Sequence, residues 1–281
     1  MTSLVFSMVL AAAFMHASWN ALVKARLEPI VAMTLLTLTA GLIGLPLLGI
    51  LGLPRAAAWP YLAASLTLHL GYYLALAEAY RRGEMSEVYP IARGGAPLIT
   101  ALAAAVLLGE TIPGHALAGV VLLAGGVLLI SAGRRGVSGV GGGYGAVGFA
   151  LLTAAIIAGY TVVDGTGGRL SGNPSGYAAA LFVLDAVPLP VVAIVVRGRS
   201  LIAPMRSYLV QGFLGGALSL GGYWIAIWAM TRAPIPEVAA LRETSVLISA
   251  GIATFALRER VRPLRWVAAT AILLGIVLIR L

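Results

Sequence analysis

The stretch GYYLALAEAYRRGEMSEVYPIARGGAPLI, residues 71–99, returns as GYWIAIWAMTRAPIPEVAALRETSVLI at 222–248. An offset of 150 residues pairs Gly71 with Gly221, Tyr73 with Tyr223, Arg82 with Arg232 and Glu87-Val88 with Glu237-Val238. After a slip of one residue, Arg93 pairs with Arg242, Leu98-Ile99 with Leu247-Ile248, Glu110 with Glu259 and Gly126 with Gly275. Two unrelated apolar segments resemble each other easily, but their charges do not also fall into register. The chain is therefore read as an internal repeat.

Both copies lie among apolar stretches long enough to cross a bilayer, which takes about 20 residues at 1.5 Å rise each. Ten such spans are read near 4–23, 30–51, 59–80, 87–108, 115–132, 144–164, 176–196, 207–230, 237–257 and 264–280. Five spans per copy is an odd number, so the second copy enters the membrane upside down, the inverted plan of secondary carriers. The expected fold is an all-α integral membrane protein with ten transmembrane helices in two inverted five-helix repeats. The first repeat covers 1–135, a Gly-rich linker 136–143, and the second repeat 144–281. The linker has neither the Gly-Lys-Ser/Thr ending of a phosphate loop nor a strand before it.

Composition agrees with this reading. Hydrophobic residues make up 60% of the chain and charged residues 10%, with a mean hydropathy of +0.98, against roughly 25% charged in a soluble domain. The first span has no basic leader and is longer than the core of a secretory signal, so it is read as a retained helix. With no cysteine, disulfide frameworks, thiolate metal sites and cysteine nucleophiles are excluded. Loops after odd-numbered spans hold Lys24, Arg26, Arg81, Arg82, Arg134, Arg135, Arg197, Arg199, Arg206, Arg258, Arg260, Arg262 and Arg265, and the other ends only Arg55, Arg169, Arg232 and Arg280. Lys and Arg are retained on the cytoplasmic side, so both termini are expected outside. The net charge of +9 thus reads as membrane orientation, not as a nucleic-acid surface.

HASWNALVKA at 16–25, Leu-Leu-Gly-Glu ending at Glu110 and its echo Leu-Arg-Glu at Glu259 resemble the EamA-type branch of the drug/metabolite transporter superfamily over essentially the whole chain. The resemblance implies a central cavity lined by spans one to four and six to nine, with five and ten at the periphery. It also implies export of amino acids, particularly aromatic or otherwise apolar ones, or of similar small metabolites, from a bacterial inner membrane. Its implied partners are the lipid bilayer and a small-molecule substrate, without cofactor or metal.

Candidate substrate-binding residues follow from polar and aromatic groups inside the spans. His69, Tyr72, Tyr73, Leu76 and Tyr80 recur at helical spacing and share one face of span three, and Tyr223, Trp224, Ile227, Trp228 and Thr231 do the same in span eight. Such groups face protein or water more cheaply than lipid. Cavity lining stands beside a plainer reading as aromatic packing or interfacial belt, and Trp228 is divided evenly between them. Trp19 and Asn20 in span one, with Tyr160 and Thr161 in span six, stand between substrate contact and interhelical packing.

Arg93 and Arg242 lie several residues inside spans four and nine, where a charge costs about 2.5–3.5 kcal/mol on the lenient insertion scale. Tyr89 lies one turn from Arg93, and Gly94, Gly95 and Pro97 suggest a breakable helix. One reading has Arg93 meet a substrate carboxylate. The other, which we favour, is a gate in which the arginines pair with Glu237, Glu243 or Glu87. Asp185, ahead of Pro188 and Pro190, is the leading candidate for coupling, with Glu243 second. Glu78 is set aside as an ordinary ion-pair partner of Arg82, and Asp164 is expected to be solvated at the end of span six. An intramembrane enzyme is the main alternative from another class. It is disfavoured by the lack of a His-Glu-x-x-His motif, of paired intramembrane aspartates and of a Ser-centred glycine motif.

Overall fold

The computed structural model describes residues 1–24, 28–83, 85–132, 144–257 and 263–281, and the regular structure among these residues is helical. In order, the helices are α1 (Ser3–Lys24), α2 (Pro29–Leu51), α3 (Trp59–Arg82), α4 (Met85–Leu108), α5 (Gly114–Ala132), α6 (Tyr144–Leu170), α7 (Pro174–Asp185), α8 (Pro188–Arg197), α9 (Ile202–Ser207), α10 (Leu209–Met230), α11 (Ile235–Arg242), α12 (Thr244–Leu257) and α13 (Pro263–Arg280). The expected linker at 136–143 lies outside the described residues.

These segments outnumber the ten expected spans for local reasons. Pro188 and Pro190 cannot donate to the helical ladder, and the seventh span divides into α7 and α8 at Ala186-Val187. The ninth divides into α11 and α12 at Glu243, where the bonds shorten to i→i+3: Glu243 N–H donates to Ala240 and Val246 N–H to Glu243. A tight turn inside a helix of this kind often marks a hinge or a functional position. By length and composition, Ser3–Asn20, Ile30–Leu51, Ile91–Leu108, Tyr144–Leu170, Pro174–Arg197 and Leu209–Met230 can each cross a membrane. Gly114–Leu129 and Trp266–Arg280 are shorter apolar helices. Leu42, Val106, Leu107, Val195 and Val210 stand exposed along their helices, as lipid-facing residues do. A helix satisfies its own backbone groups, which lipid cannot do.

Cα packing resolves two compact units. One comprises Met1–Leu10, Gly71–Val162 and Arg232–Leu281, and the other Ala11–Leu70 and Val163–Thr231, so each draws on both halves of the sequence. In the first unit α5 and α13 pack closely at small residues. A Cβ on Gly119 would sit 2.7 Å from the Gly275 carbonyl oxygen, and one on Gly126 2.6 Å from Ile272 Cγ1. Here α4 packs on α5, α11 packs on both, and Ala79, Val88, Ala146 and Ala150 form a buried cluster with Tyr80 and Phe149 against it.

In the second unit α2 packs against α7, α8 and α10. Gly212 admits the Leu35 side chain and Gly216 admits Thr39, whose hydroxyl also donates to the Gly212 carbonyl at 2.8 Å. Asn173 caps α7 by accepting from Gly176 N–H at 3.0 Å and donates across to the Leu51 carbonyl at 2.7 Å. The end of α2 and the start of α7 are thus tied by one side chain.

Candidate functional site

Two buried polar clusters stand out, one in each unit. In the first, α4 carries Arg93 and the break between α11 and α12 carries Glu243. Arg93 is 5% exposed and Glu243 4%, with Arg93 Nε 2.8 Å from Glu243 Oε2. The contact is an ion pair more than an aligned hydrogen bond, because Arg93 Nε and Nη2 and Glu243 Oε2 have no hydrogen-bond partner among the described residues. Glu237 Oε2 and Ser245 Oγ are buried in the same condition. An ion pair this deep is held by mutual attraction that offsets desolvation, and losing one member leaves the other stranded.

Around the pair, Ala96, Pro97, Thr100, Ile157, Tyr160, Thr161, Ala239 and Arg242 complete the lining of a narrow cleft. The space in which a water centre can move there is about 10 Å³, room for about one molecule. Tyr72 meets Tyr160 edge-to-face at 6.1 Å and Tyr73 at 5.4 Å between ring centroids. Tyr80 packs in the alanine cluster described above, and Tyr89 is half-buried one turn from Arg93.

The expected break lies elsewhere than its sequence signal. α4 runs unbroken through Gly94, Gly95 and Pro97, and Gly94 packs on Leu128 and the Ala124 carbonyl of α5. Its proline still withholds an N–H from the Arg93 carbonyl. The interruption falls at Glu243, where no proline or glycine announced it. Of the expected carboxylate partners for the arginines, Glu243 is the one that Arg93 meets, while the side chain of Glu87 lies outside the described residues.

In the second unit the centre is Asp164, fully buried on α6. The expectation of a solvated residue at a helix end is incorrect: α6 continues for more than a turn, to Leu170. Tyr177 Oη donates to Asp164 Oδ1 at 2.9 Å and Tyr223 Oη to Oδ2 at 2.5 Å. Gly167 and Gly168, just beyond Asp164, serve close packing. A Cβ on Gly167 would lie 2.6 Å from Tyr177 Oη, and one on Gly168 2.9 Å from Ile227 Cγ2. Ser65 and His69 of α3 are the other groups acting on the Asp164 carboxylate. His69 Nδ1 is 2.9 Å from the Ser65 carbonyl and 3.1 Å from Ser65 Oγ, and its ring stands edge-on to Tyr223 at 6.1 Å.

The remaining sequence candidates of this unit have local partners. Asn20 Nδ2 donates at 2.9 Å to the His16 carbonyl of its own helix, and His16 stands edge-on to Trp19 at 5.0 Å. Trp224 Nε1 donates to Ser175 Oγ at 3.0 Å, Trp228 is half-buried, and Asp185 is buried at the end of α7. Tyr177 and Ser65 are polar residues that the sequence reading missed, and Asp164 is one that it misplaced. The one usable signal was their apolar surroundings, since no charged residue between Tyr144 and Asp164 marks a membrane edge.

Long apolar helices carrying buried charges define a multi-pass membrane protein, and the family follows from comparison. The EamA-like transporter family model matches residues 3–132 and again 145–281. The chain belongs to that family, as the motifs at His16, Glu110 and Glu259 led us to expect. A solved crystal structure superposes with a TM-score of 0.78 at 18% identity, covering 98% of this chain and 95% of the other, a likeness of fold. No curated protein matches the chain.

Proposed function

We propose that this member of a transporter family is a secondary carrier exporting amino acids, aromatic or otherwise apolar ones above all, from a bacterial inner membrane. Its ten spans form two inverted repeats, 1–135 and 144–281, that alternate access to a midplane cavity. The observation carrying the substrate class is the cleft of the first unit, whose lining brings together Arg93, Arg242 and Glu243. A zwitterion offers each charge a partner, its carboxylate to a guanidinium and its ammonium to Glu243. Tyr72 and Tyr160 supply flat apolar area nearby. Within this reading Arg93, Arg242 and Glu243 gate the path, Asp185 is a candidate for coupling, and His69, Tyr73 and Tyr223 contribute to recognition.

The test is counterflow in proteoliposomes loaded with unlabelled phenylalanine and exposed to the labelled amino acid. Saturable exchange is expected in the parent and is impaired in Tyr73→Ala and His69→Ala variants that still insert. If no proteinogenic amino acid is exchanged by the parent, the substrate class is wrong. Chemical conversion of the added compound would instead favour an intramembrane enzyme.

The orientation rests on the Lys/Arg asymmetry and is checked separately. Because the chain has no cysteine, Arg169→Cys creates a unique thiol at the exposed end of α6. An impermeant maleimide added to intact cells is expected to label it. Labelling only after permeabilisation would reverse the topology.

A further inference from the structure

We propose that Asp164 is a proton-binding site of the carrier, loaded through His69 and Ser65 and clamped by Tyr177 and Tyr223. The idea rests on the carrier reading for its role in coupling, while the site itself is defined by geometry within one unit. The contrast with the buried carboxylate of Glu243 is instructive. Beside Glu243 stands Arg93, whose guanidinium remains charged at every working pH. A basic group acting on Asp164 is the His69 imidazole, which can hold a proton on either ring nitrogen. Ionisable residues at such depth characteristically mark proton relays.

The hydrogen-bond geometry also gives the relay a direction. The Ser65 carbonyl can only accept, so His69 Nδ1, 2.9 Å away, carries a hydrogen. The same Nδ1 faces Ser65 Oγ at 3.1 Å, leaving the hydroxyl hydrogen of Ser65 available to Asp164. When His69 is doubly protonated, its Nδ1–H bond breaks toward Ser65 Oγ as the Ser65 O–H bond breaks toward Asp164. The products are neutral His69 protonated at Nε2, a serine hydroxyl that now donates to Nδ1 in place of the Nδ1–H bond to the Ser65 carbonyl, and a neutral carboxylic acid, so charge and protons balance. Both tyrosines accommodate the change because a phenol accepts as well as donates. In the ionised state the 2.5 Å contact from Tyr223 has the length of a charge-assisted O–H···O⁻ bond. The groups acting most strongly on Asp164 include Ser65 and His69 on α3, Tyr177 on α7 and Tyr223 on α10.

Asp164→Asn imitates the protonated acid, and its amide can still engage both phenols, so folding is expected to survive. Two readouts on the full chain are needed. Infrared difference spectra between acidic and alkaline buffer should contain a protonated-carboxyl C=O band that is lost in Asp164→Asn and shifted in Tyr223→Phe and Tyr177→Phe. In proteoliposomes, phenylalanine accumulation driven by an imposed pH gradient should fall in Asp164→Asn to the gradient-free level, while counterflow persists. A carboxyl band that survives Asp164→Asn but vanishes in Asp185→Asn would overturn the assignment, as would gradient-driven accumulation equal to the parent's. Should Asp164→Asn fail to fold, the shift in the two phenylalanine variants decides the matter, and its absence overturns the proposal. Failure of the carrier reading is recognised independently, by a parent protein without counterflow.

Discussion

Arg93→Ala is expected to destabilise the protein by about 3–5 kcal/mol, the range for stripping one partner from a buried ion pair. Glu243, 4% exposed, would be left in its cleft without the cation it was built around. Lysine is a poor substitute because its compact ammonium lacks the planar fork of the guanidinium. Replacing both charges with apolar residues of similar volume, Arg93→Met with Glu243→Leu, should restore most of the lost stability, since no charge is then stranded. Transport should remain absent in the single and double variants alike. Thermal unfolding in detergent, together with phenylalanine counterflow, separates these effects. A double variant no more stable than Arg93→Ala would mean that the two side chains do not act as a pair.

Gly275→Val is expected to prise α13 from α5. The first atom of the new side chain would already lie 2.7 Å from the Gly119 carbonyl oxygen and 2.9 Å from Leu123 N, both backbone atoms that cannot swing away. Overpacking a close contact costs about 1–3 kcal/mol and sometimes more. In lipid, where helices associate by tight packing of small residues, little else compensates. Gly125→Ala is the matched control on the same helix pair, because nothing lies within 4 Å of its Cβ. It should be neutral or gain up to about 1 kcal/mol from helix propensity. Equal yields of folded protein from the two variants would contradict the close approach of α5 and α13.

Helices and family were legible because both are written in patterns of many residues. Long apolar runs fix where a chain can cross lipid, and the repeated charges at Arg82/Arg232 and Arg93/Arg242 align the halves without any structure. Single-residue backbone events were not legible. Gly94, Gly95 and Pro97 carried the sequence signal for a break, yet packing on α5 keeps α4 whole. The ninth span is interrupted at Glu243, a residue with ordinary helix propensity. Asp164 was misjudged because it was taken as the end of its span, when α6 continues to Leu170 and the glycines after Asp164 make room for Tyr177 and Ile227. At Gly94 and after Asp164 the neighbouring helix is what the glycines pack against, and local sequence does not encode who the neighbour is.

A cleft at Arg93 with room for about one water cannot hold an amino acid without widening. The form that binds is then a different conformation, and apparent affinity is the intrinsic affinity multiplied by the fraction of molecules already open. Weak binding would therefore say little about the quality of the contacts. Substitutions that prop the cleft ajar would strengthen capture without touching the cargo, at the expense of the seal that a carrier needs between its two sides.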